Sequence, residues 1–152
     1  GTEVGISEPE ATFSACFGAA FMVWHPSKYA ELLAERIEKN GTSVWLVNTG
    51  WSGGGYGEGE RMPLKYTRSI IDSILDGTIN NAPVFKNKLF GFDVPAECPG
   101  VPVNIMIPRN TWSDGDEYDE AERNLAIMFK DNFEKFEEGS TREILEAGPK
   151  IS

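Results

Sequence analysis

The distribution of proline constrains the fold of this chain more than any other feature. Six of the nine prolines lie at positions 63, 83, 95, 99, 102 and 108. Proline holds its own φ near about −65° and has no backbone N–H, so it interrupts helices and central strands. We therefore predict that residues 78–113 wrap around the remainder with brief strands only, such as 89–92 and 103–107.

Outside that segment, apolar periodicity predicts regular elements. Helices are expected over 26–40, opened by Ser27 as the N-cap and closed at Asn40 and Gly41, and over 65–76, 117–136 and 142–147. A buried strand is expected over 43–47. The inward side chains are expected to be Tyr29, Leu32, Leu33 and Ile37, then Ile70, Ile71, Ile74 and Leu75, then Ala121, Leu125, Met128, Phe129, Phe133 and Phe136. The order of helix, strand, loop and helix predicts a mixed α/β fold, with residues 1–152 in one domain.

The charge of the chain limits its partners. The formal net charge is −10, with 24 acidic residues against 14 lysines and arginines. A nucleic-acid partner is not expected, because its phosphates require a basic surface. One bound nucleotide remains possible, because it needs only a local cation.

Cysteine use and hydropathy indicate a compartment. Cys16 and Cys98 belong to no metal or redox motif, and they suit a reducing cytosol, although one disulfide remains an alternative. The longest apolar stretch, 15–24, is too short to cross a bilayer. We expect a cytoplasmic protein without membrane contact.

The stretch GWSGGGYGEGER, residues 50–61, contains six glycines. A phosphate-binding loop after a strand needs a Gly-Lys pair followed by Ser or Thr, but here Glu58, Glu60 and Arg61 follow the glycines. Two carboxylates would repel a polyphosphate. Two interpretations remain: a mobile surface loop, or a loop that contacts the base or sugar of a nucleotide through Arg61.

Other candidate residues favour structural roles. His25, the single histidine, has no catalytic partner nearby and is expected to be a packed or surface residue. The acidic run 114–120 lacks calcium-loop spacing and predicts a solvated helix start. Glu3 and Glu8 carry no sign of a raised pKa, and residues 109–112 are expected to form a turn that holds the next helix. No complete catalytic set is present, so no catalytic or metal-binding residue is assigned.

Six colinear strings nevertheless resemble one family. They are Gly1-Thr2-Glu3, Glu8-Pro9-x-x-Thr12-Phe13-Ser14-x-Cys16-Phe17-Gly18, Leu46-Val47-Asn48-Thr49-Gly50-Trp51, Arg61-x-x-x-Lys65-x-Thr67-Arg68, Pro108-Arg109-Asn110-Thr111 and Ala147-Gly148-Pro149-Lys150. Together they resemble the carboxyl-terminal third of ATP-dependent phosphoenolpyruvate carboxykinase. The resemblance implies part of that family's carboxyl-terminal mononucleotide-binding domain, in a chain that begins within a longer protein.

The resemblance also implies a reaction and its cofactors. The family converts oxaloacetate and ATP into phosphoenolpyruvate, ADP and CO2 in gluconeogenesis, using Mg²⁺ and Mn²⁺ in the cytosol. The phosphate-binding loop and metal ligands are expected upstream of this chain, in the amino-terminal part that would be its partner. The isolated chain is therefore expected to be inactive.

Three residues match family positions that bind ATP: Arg61, Met62 and Thr67. The family often carries a lysine just before this arginine, whereas this chain has Glu60, so a second cation is not expected. The alternative function is a non-catalytic module that binds a nucleotide or a protein through the glycine loop and exposed tryptophans. In either case the apolar strip 13–21 is expected to need covering by further strands.

Overall fold

A computed structural model describes residues 12–13 and 18–151. The predictions for residues 1–9, including Glu3 and Glu8, for Cys16 and for residues 14–17 of the strip 13–21 fall outside these residues. The α-helices are α1 (Pro26–Asn40), α2 (Leu64–Leu75), α3 (Val103–Met106), α4 (Gly115–Phe133) and α5 (Arg142–Glu146). The strands are β1 (Trp51–Ser52), β2 (Glu60–Arg61), β3 (Val84–Lys86) and β4 (Asp93–Pro95). Short 3-10 helices cover Ala19–Phe21, Thr78–Asn81, Pro108–Thr111 and Glu134–Phe136.

The chain divides into two compact units. The first unit comprises the chain up to Val47 together with Asp131–Glu146. The second unit comprises Asn48–Lys130 together with the residues from Ala147 onward. Helices and two small sheets together make the mixed α/β composition that the sequence predicts.

In the first unit, α1 has the predicted length but a different N-cap. His25 takes that position: its Nδ1 accepts a hydrogen bond from the Ser27 backbone N–H at 3.3 Å and lies 2.8 Å from the Ser27 hydroxyl. Pro26 occupies the first helical turn, where its missing N–H costs nothing. Gly41 ends the helix in the left-handed region at φ 59°, as predicted.

The buried strand predicted over 43–47 is absent. These residues are not in a helix or ladder, and Val44, Leu46 and Val47 are 64%, 77% and 41% exposed. A strand is stabilised by hydrogen bonds to a neighbour, and the described residues provide none for this segment. An apolar run of this kind predicts a buried strand only where a neighbouring strand is present to pair with it.

The second unit contains two antiparallel hairpins. β1 pairs with β2, Trp51 opposite Arg61, and β3 pairs with β4, Phe85 opposite Val94. The predicted brief strand at 89–92 is instead the turn of the second hairpin and the residues after it, with Asn87 Oδ1 accepting from the Phe90 N–H at 2.7 Å. The two strands lie on either side of that turn.

The strand predicted over 103–107 is also wrong, because α3 occupies Val103–Met106. Pro102 precedes it at φ −59°, and its carbonyl accepts the first helical hydrogen bond, from the Ile105 N–H at 3.0 Å. Apolar side chains without clear periodicity do not distinguish a one-turn helix from a short strand.

The core of the described residues is small. Only Ser73, Ile79, Cys98, Val101 and Ala126 are buried. On α2 the buried residue is Ser73, and Leu75, expected inward, is 80% exposed. On α4 the buried residue is Ala126, which is fully inaccessible to solvent. The residues that the sequence predicted to face inward from this region are half-buried or exposed.

The buried part of α2 faces a thiol. Cys98 is a free cysteine whose Sγ lies 3.5 Å from the Ser73 hydroxyl oxygen and 3.8 Å from the Ser69 carbonyl. A small polar residue fits here because its hydroxyl can bond the weakly polar sulfur. The two residues are 25 positions apart in the chain, so local periodicity cannot reveal the pair.

Candidate functional site

The main candidate site is a cleft of about 560 Å³ in the second unit, beside the glycine hairpin. Three elements supply its walls: the β1–β2 hairpin, the start of α2, and the segment from α3 to Ser113. The lining residues are Ser52, Gly53, Glu58, Gly59, Glu60, Arg61, Met62, Pro63, Tyr66, Asn104, Ile105, Asn110, Thr111 and Ser113. We call this the hairpin cleft.

Glycine is required at two positions of the hairpin because backbone approaches closely. A Cβ at Gly53 would lie 2.7 Å from the Thr111 carbonyl oxygen, and Gly53 also has φ 79°. At Gly59 a Cβ would overlap the carbonyl oxygens of Gly54 and Ser52. Gly53 therefore allows the hairpin to approach the Thr111 segment, and Gly59 allows the two arms of the hairpin to approach each other.

Two of the three predicted nucleotide-binding residues meet at this cleft. Arg61 ends β2, and Met62 follows it with its N–H donating to the Gly50 carbonyl at 3.0 Å. Arg61 is exposed and Met62 half-buried. Thr67 is half-buried on the second turn of α2 and does not line the cleft.

The charged side chains that line the cleft are Glu58, Glu60 and Arg61. The opposite wall is neutral and polar, with Asn104, Asn110, Thr111 and Ser113. Met62, Tyr66 and Ile105 supply apolar surface. Amide and hydroxyl groups beside an apolar wall can bind a planar heterocycle or a sugar, whereas two carboxylates disfavour an isolated phosphate group.

The neutral wall is anchored to α4 by Arg109, as the turn interpretation predicts. Its Nε donates to Asp119 Oδ1 at 2.8 Å and its Nη2 donates to Asp119 Oδ2 at 3.0 Å. These hydrogen bonds lower the pKa of the Asp119 carboxyl and raise the pKa of the Arg109 guanidinium. A Cβ at Gly115 would overlap that guanidinium, so the start of α4 is shaped to admit it.

A second set of hydrogen bonds, which joins α4 to the residue after β3, was not anticipated from the sequence. Glu122 Oε1 accepts from Asn87 Nδ2 at 2.6 Å and from the Tyr118 hydroxyl at 3.0 Å. Burial, with the nearby Glu122 carboxylate, raises the pKa of the Tyr118 phenol well above its ordinary value. Because Asn87 is 35 residues from Glu122, only the spacing of Tyr118 and Glu122 on one helix face was available as a signal.

The remaining sequence candidates have structural roles. His25 caps α1 and is exposed, with its ring centroid 6.4 Å from that of Phe136, which confirms the surface alternative of the prediction. In the acidic run, Asp114 Oδ1 accepts from the Asp116 N–H at 2.8 Å, which confirms a helix start. Within residues 12–13 and 18–151, no three His, Cys, Asp or Glu side chains come close enough to hold a metal ion. No helix in the same ranges is long and apolar enough to cross a membrane.

Comparison with known proteins decides the family. The sequence profile described as "Phosphoenolpyruvate carboxykinase" matches residues 1–104, about two thirds of the chain. The chain belongs to the phosphoenolpyruvate carboxykinase family. The resemblance inferred from the six strings is thereby confirmed.

Curated members of the phosphoenolpyruvate carboxykinase family match nearly the whole chain. "Phosphoenolpyruvate carboxykinase (ATP) 2" of Salinibacter ruber is 55% identical over 99% of this chain. The proteins named "Phosphoenolpyruvate carboxykinase (ATP)" from Thermus thermophilus and Dictyostelium discoideum are each 50% identical, over 99% and 98% of it. The chain spans only 28%, 28% and 26% of these relatives' own lengths.

Proposed function

We propose that this chain is the carboxyl-terminal portion of an ATP-dependent phosphoenolpyruvate carboxykinase. The complete enzyme would convert oxaloacetate and ATP into phosphoenolpyruvate, ADP and CO2, a gluconeogenic reaction in the cytoplasm. The chain itself would supply the adenosine side of the ATP site and would be inactive alone. The observation that carries this proposal is 55% identity to an ATP-dependent relative along almost the entire chain.

The hairpin cleft supports the nucleotide role. Arg61 offers planar donors suited to ribose or phosphate oxygens and a surface that can stack on a base. Met62 offers an apolar, adaptable wall for adenine, next to Tyr66 in the same cleft. Thr67, one turn along α2, would act through its hydroxyl or backbone rather than as a lining residue.

The charge of the cleft limits which part of ATP it can hold. Glu58 and Glu60 stand beside the single arginine in its lining, so the triphosphate would be repelled from this end. We place the adenosine here and the phosphates on the remainder of the enzyme. We also place Mg²⁺ and Mn²⁺ on the remainder, for a separate reason: within the described residues no group of three His, Cys, Asp or Glu side chains could hold a metal ion.

A hybrid protein tests the proposal. This chain replaces the matching stretch of the Salinibacter ruber relative, and ATP binding and oxaloacetate-dependent ATP turnover are measured with and without that remainder. We expect turnover in the hybrid and none in the isolated chain. Robust turnover by the isolated chain would contradict the proposed division of the site, and a folded hybrid that neither binds ATP nor turns it over would contradict the function.

One observation favours the second candidate, a non-catalytic binding module. Trp51 and Tyr56 form an edge-to-face pair on the hairpin, with ring centroids 5.5 Å apart, and both remain exposed. Exposed aromatic pairs are typical anchors of protein interfaces. Intact-mass analysis of the natural protein distinguishes the candidates, because a mature chain beginning at Gly1 would favour the module.

A further inference from the structure

One face of the glycine hairpin supplies both a carboxylate and an apolar side chain to the hairpin cleft. Ser52 and Glu60 stand opposite each other in the β1–β2 ladder, and both line the cleft. The pairing continues to Met62, whose N–H donates to the Gly50 carbonyl at 3.0 Å. Alternate residues of a strand lie on the same face. Glu60 therefore shares its face with Met62, which also lines the cleft.

The spacing of these two side chains matches the parts of a nucleoside. Residues two apart in a strand are displaced by roughly 6–7 Å along it. That displacement is comparable to the span from the centre of a purine ring to the hydroxyl groups of its ribose. With adenine against Met62, as proposed above, the carboxylate of Glu60 would come within reach of the sugar.

The chemistry of Glu60 suits a pair of neighbouring hydroxyl groups. An ionised carboxylate only accepts hydrogen bonds, and its two oxygens can accept from the hydroxyls of a ribose. Within the part of the chain that the structure describes, no ion pair or hydrogen bond engages the Glu60 side chain. Its oxygens are therefore free to accept from a ligand, whereas its charge would repel a phosphate group at the same place.

We infer that Glu60 selects the sugar of the nucleotide. Its carboxylate accepts hydrogen bonds from the 2′- and 3′-hydroxyls, so the hairpin cleft prefers ribonucleotides in which both hydroxyls are free. This inference rests on the proposed function, because it requires adenosine in this cleft.

Glu58 is a poorer candidate for the same role. It lies in the connection between β1 and β2 rather than in the ladder, so the alternation that places Glu60 beside Met62 does not apply to it. It also lines a second cleft of about 520 Å³, together with Glu117 and Glu120. Glu58 nevertheless contributes the same charge to the hairpin cleft, which makes it a matched control.

Nucleotide binding to the hybrid protein tests the inference. Calorimetric titration gives the dissociation constants of ATP, 2′-deoxy-ATP and 3′-deoxy-ATP for the unaltered hybrid, Glu60→Ala and Glu58→Ala. We expect each deoxynucleotide to bind the unaltered hybrid at least about 10-fold more weakly than ATP, as for the loss of a hydrogen bond to a charged group. Glu60→Ala should bind all three nucleotides about equally, and Glu58→Ala should keep the preference for ATP.

The ratio of the dissociation constants, rather than any single one, is the diagnostic quantity. Both alanine variants remove one negative charge from the cleft, so both should raise the affinity for every triphosphate to a similar extent. Equal binding of ATP and the deoxynucleotides by the unaltered hybrid would overturn the inference and leave the proposed function standing. A preference that survives in Glu60→Ala, or that disappears in Glu58→Ala, would also overturn the assignment to Glu60. A folded hybrid that binds none of the three nucleotides would overturn both.

The intact Salinibacter ruber relative serves if the hybrid does not fold. The residue that aligns with Glu60 is then changed in that protein, and the same three dissociation constants are measured. Where that residue is a glutamate, alanine must abolish the preference for ATP over the deoxynucleotides. Where it is another residue, glutamate must increase that preference. An unchanged ratio in either case overturns the inference.

Discussion

The guanidinium of Arg109 holds both carboxylate oxygens of Asp119, at 2.8 and 3.0 Å, and so fixes the Pro108–Thr111 turn to helix α4. Thr111 in that turn presents its carbonyl to Gly53 of the glycine hairpin. One wall of the hairpin cleft therefore depends on an ion pair outside it. Because the pair is about half exposed, it should contribute little to the free energy of unfolding. Its main role is to position the wall of the cleft.

The Arg109–Asp119 pair predicts a defined pH dependence of stability. Its carboxyl has a lowered pKa in the folded chain, so its contribution is present above the unfolded value of about 3.9 and is lost as pH falls through the lower folded pKa. Asp119→Asn should therefore reduce the urea midpoint slightly at pH 7. The difference from the unaltered chain should shrink as pH approaches the folded pKa. A difference that is constant between pH 7 and pH 3 would contradict the assigned cause.

Two glycine substitutions test how the hairpin is seated. Gly53→Ala should lower the free energy of unfolding by about 1–3 kcal/mol, because it adds strain at φ 79° and a clash with the Thr111 carbonyl. Gly55→Ala is the control, since its Cβ would meet nothing within 4 Å, and it should be neutral or slightly stabilising. Urea denaturation of both variants gives the comparison. Equal costs would show that the hairpin does not rest on the turn.

Arginine variants test the nucleotide role in the hybrid enzyme. Arg61→Ala should weaken ATP binding by roughly 1.5–3 kcal/mol, about 10- to 150-fold, as expected for the loss of a hydrogen bond from a charged group. Arg68→Ala is the matched control, because Arg68 is exposed on α2 and does not line the cleft. Calorimetric titration with ATP measures both. Unchanged affinity in Arg61→Ala would remove that residue from the site.

Helix α4 offers a test of the core. Ala126 is completely inaccessible, so Ala126→Leu should destabilise the chain by about 1–3 kcal/mol through overpacking. Ala34→Leu on the exposed surface of α1 should change stability by less than about 0.5 kcal/mol. Denaturant unfolding of the two variants checks the difference. A tolerated leucine at 126 would show that the helix is not held tightly at that point.

Sequence reasoning succeeded where the signal was local. The helix predicted over 26–40 was found with those bounds, and Gly41 ends it because glycine tolerates the left-handed backbone. It failed where a neighbour decides the outcome. The run 43–47 has a strand's composition but no described partner, and residues 103–107 have apolar character that a single helical turn satisfies equally well.

The candidate site shows the same division. Arg61 and Met62 were predicted from a family pattern, and their binding of a nucleotide stays a prediction; the structure adds that they share one cleft with Asn110 and Thr111. Glu122 was not named, because its bond to Asn87 joins positions 35 residues apart.

By itself the sequence determined the family, the positions of the long helices and the glycine content of the hairpin, because each depends on nearby residues or on shared strings. Tertiary structure alone decided that Gly53 meets Thr111, that Arg109 holds Asp119 and that Ser73 faces Cys98. Those pairs form only when the folded backbone brings distant positions together, and no local period or motif specifies that approach.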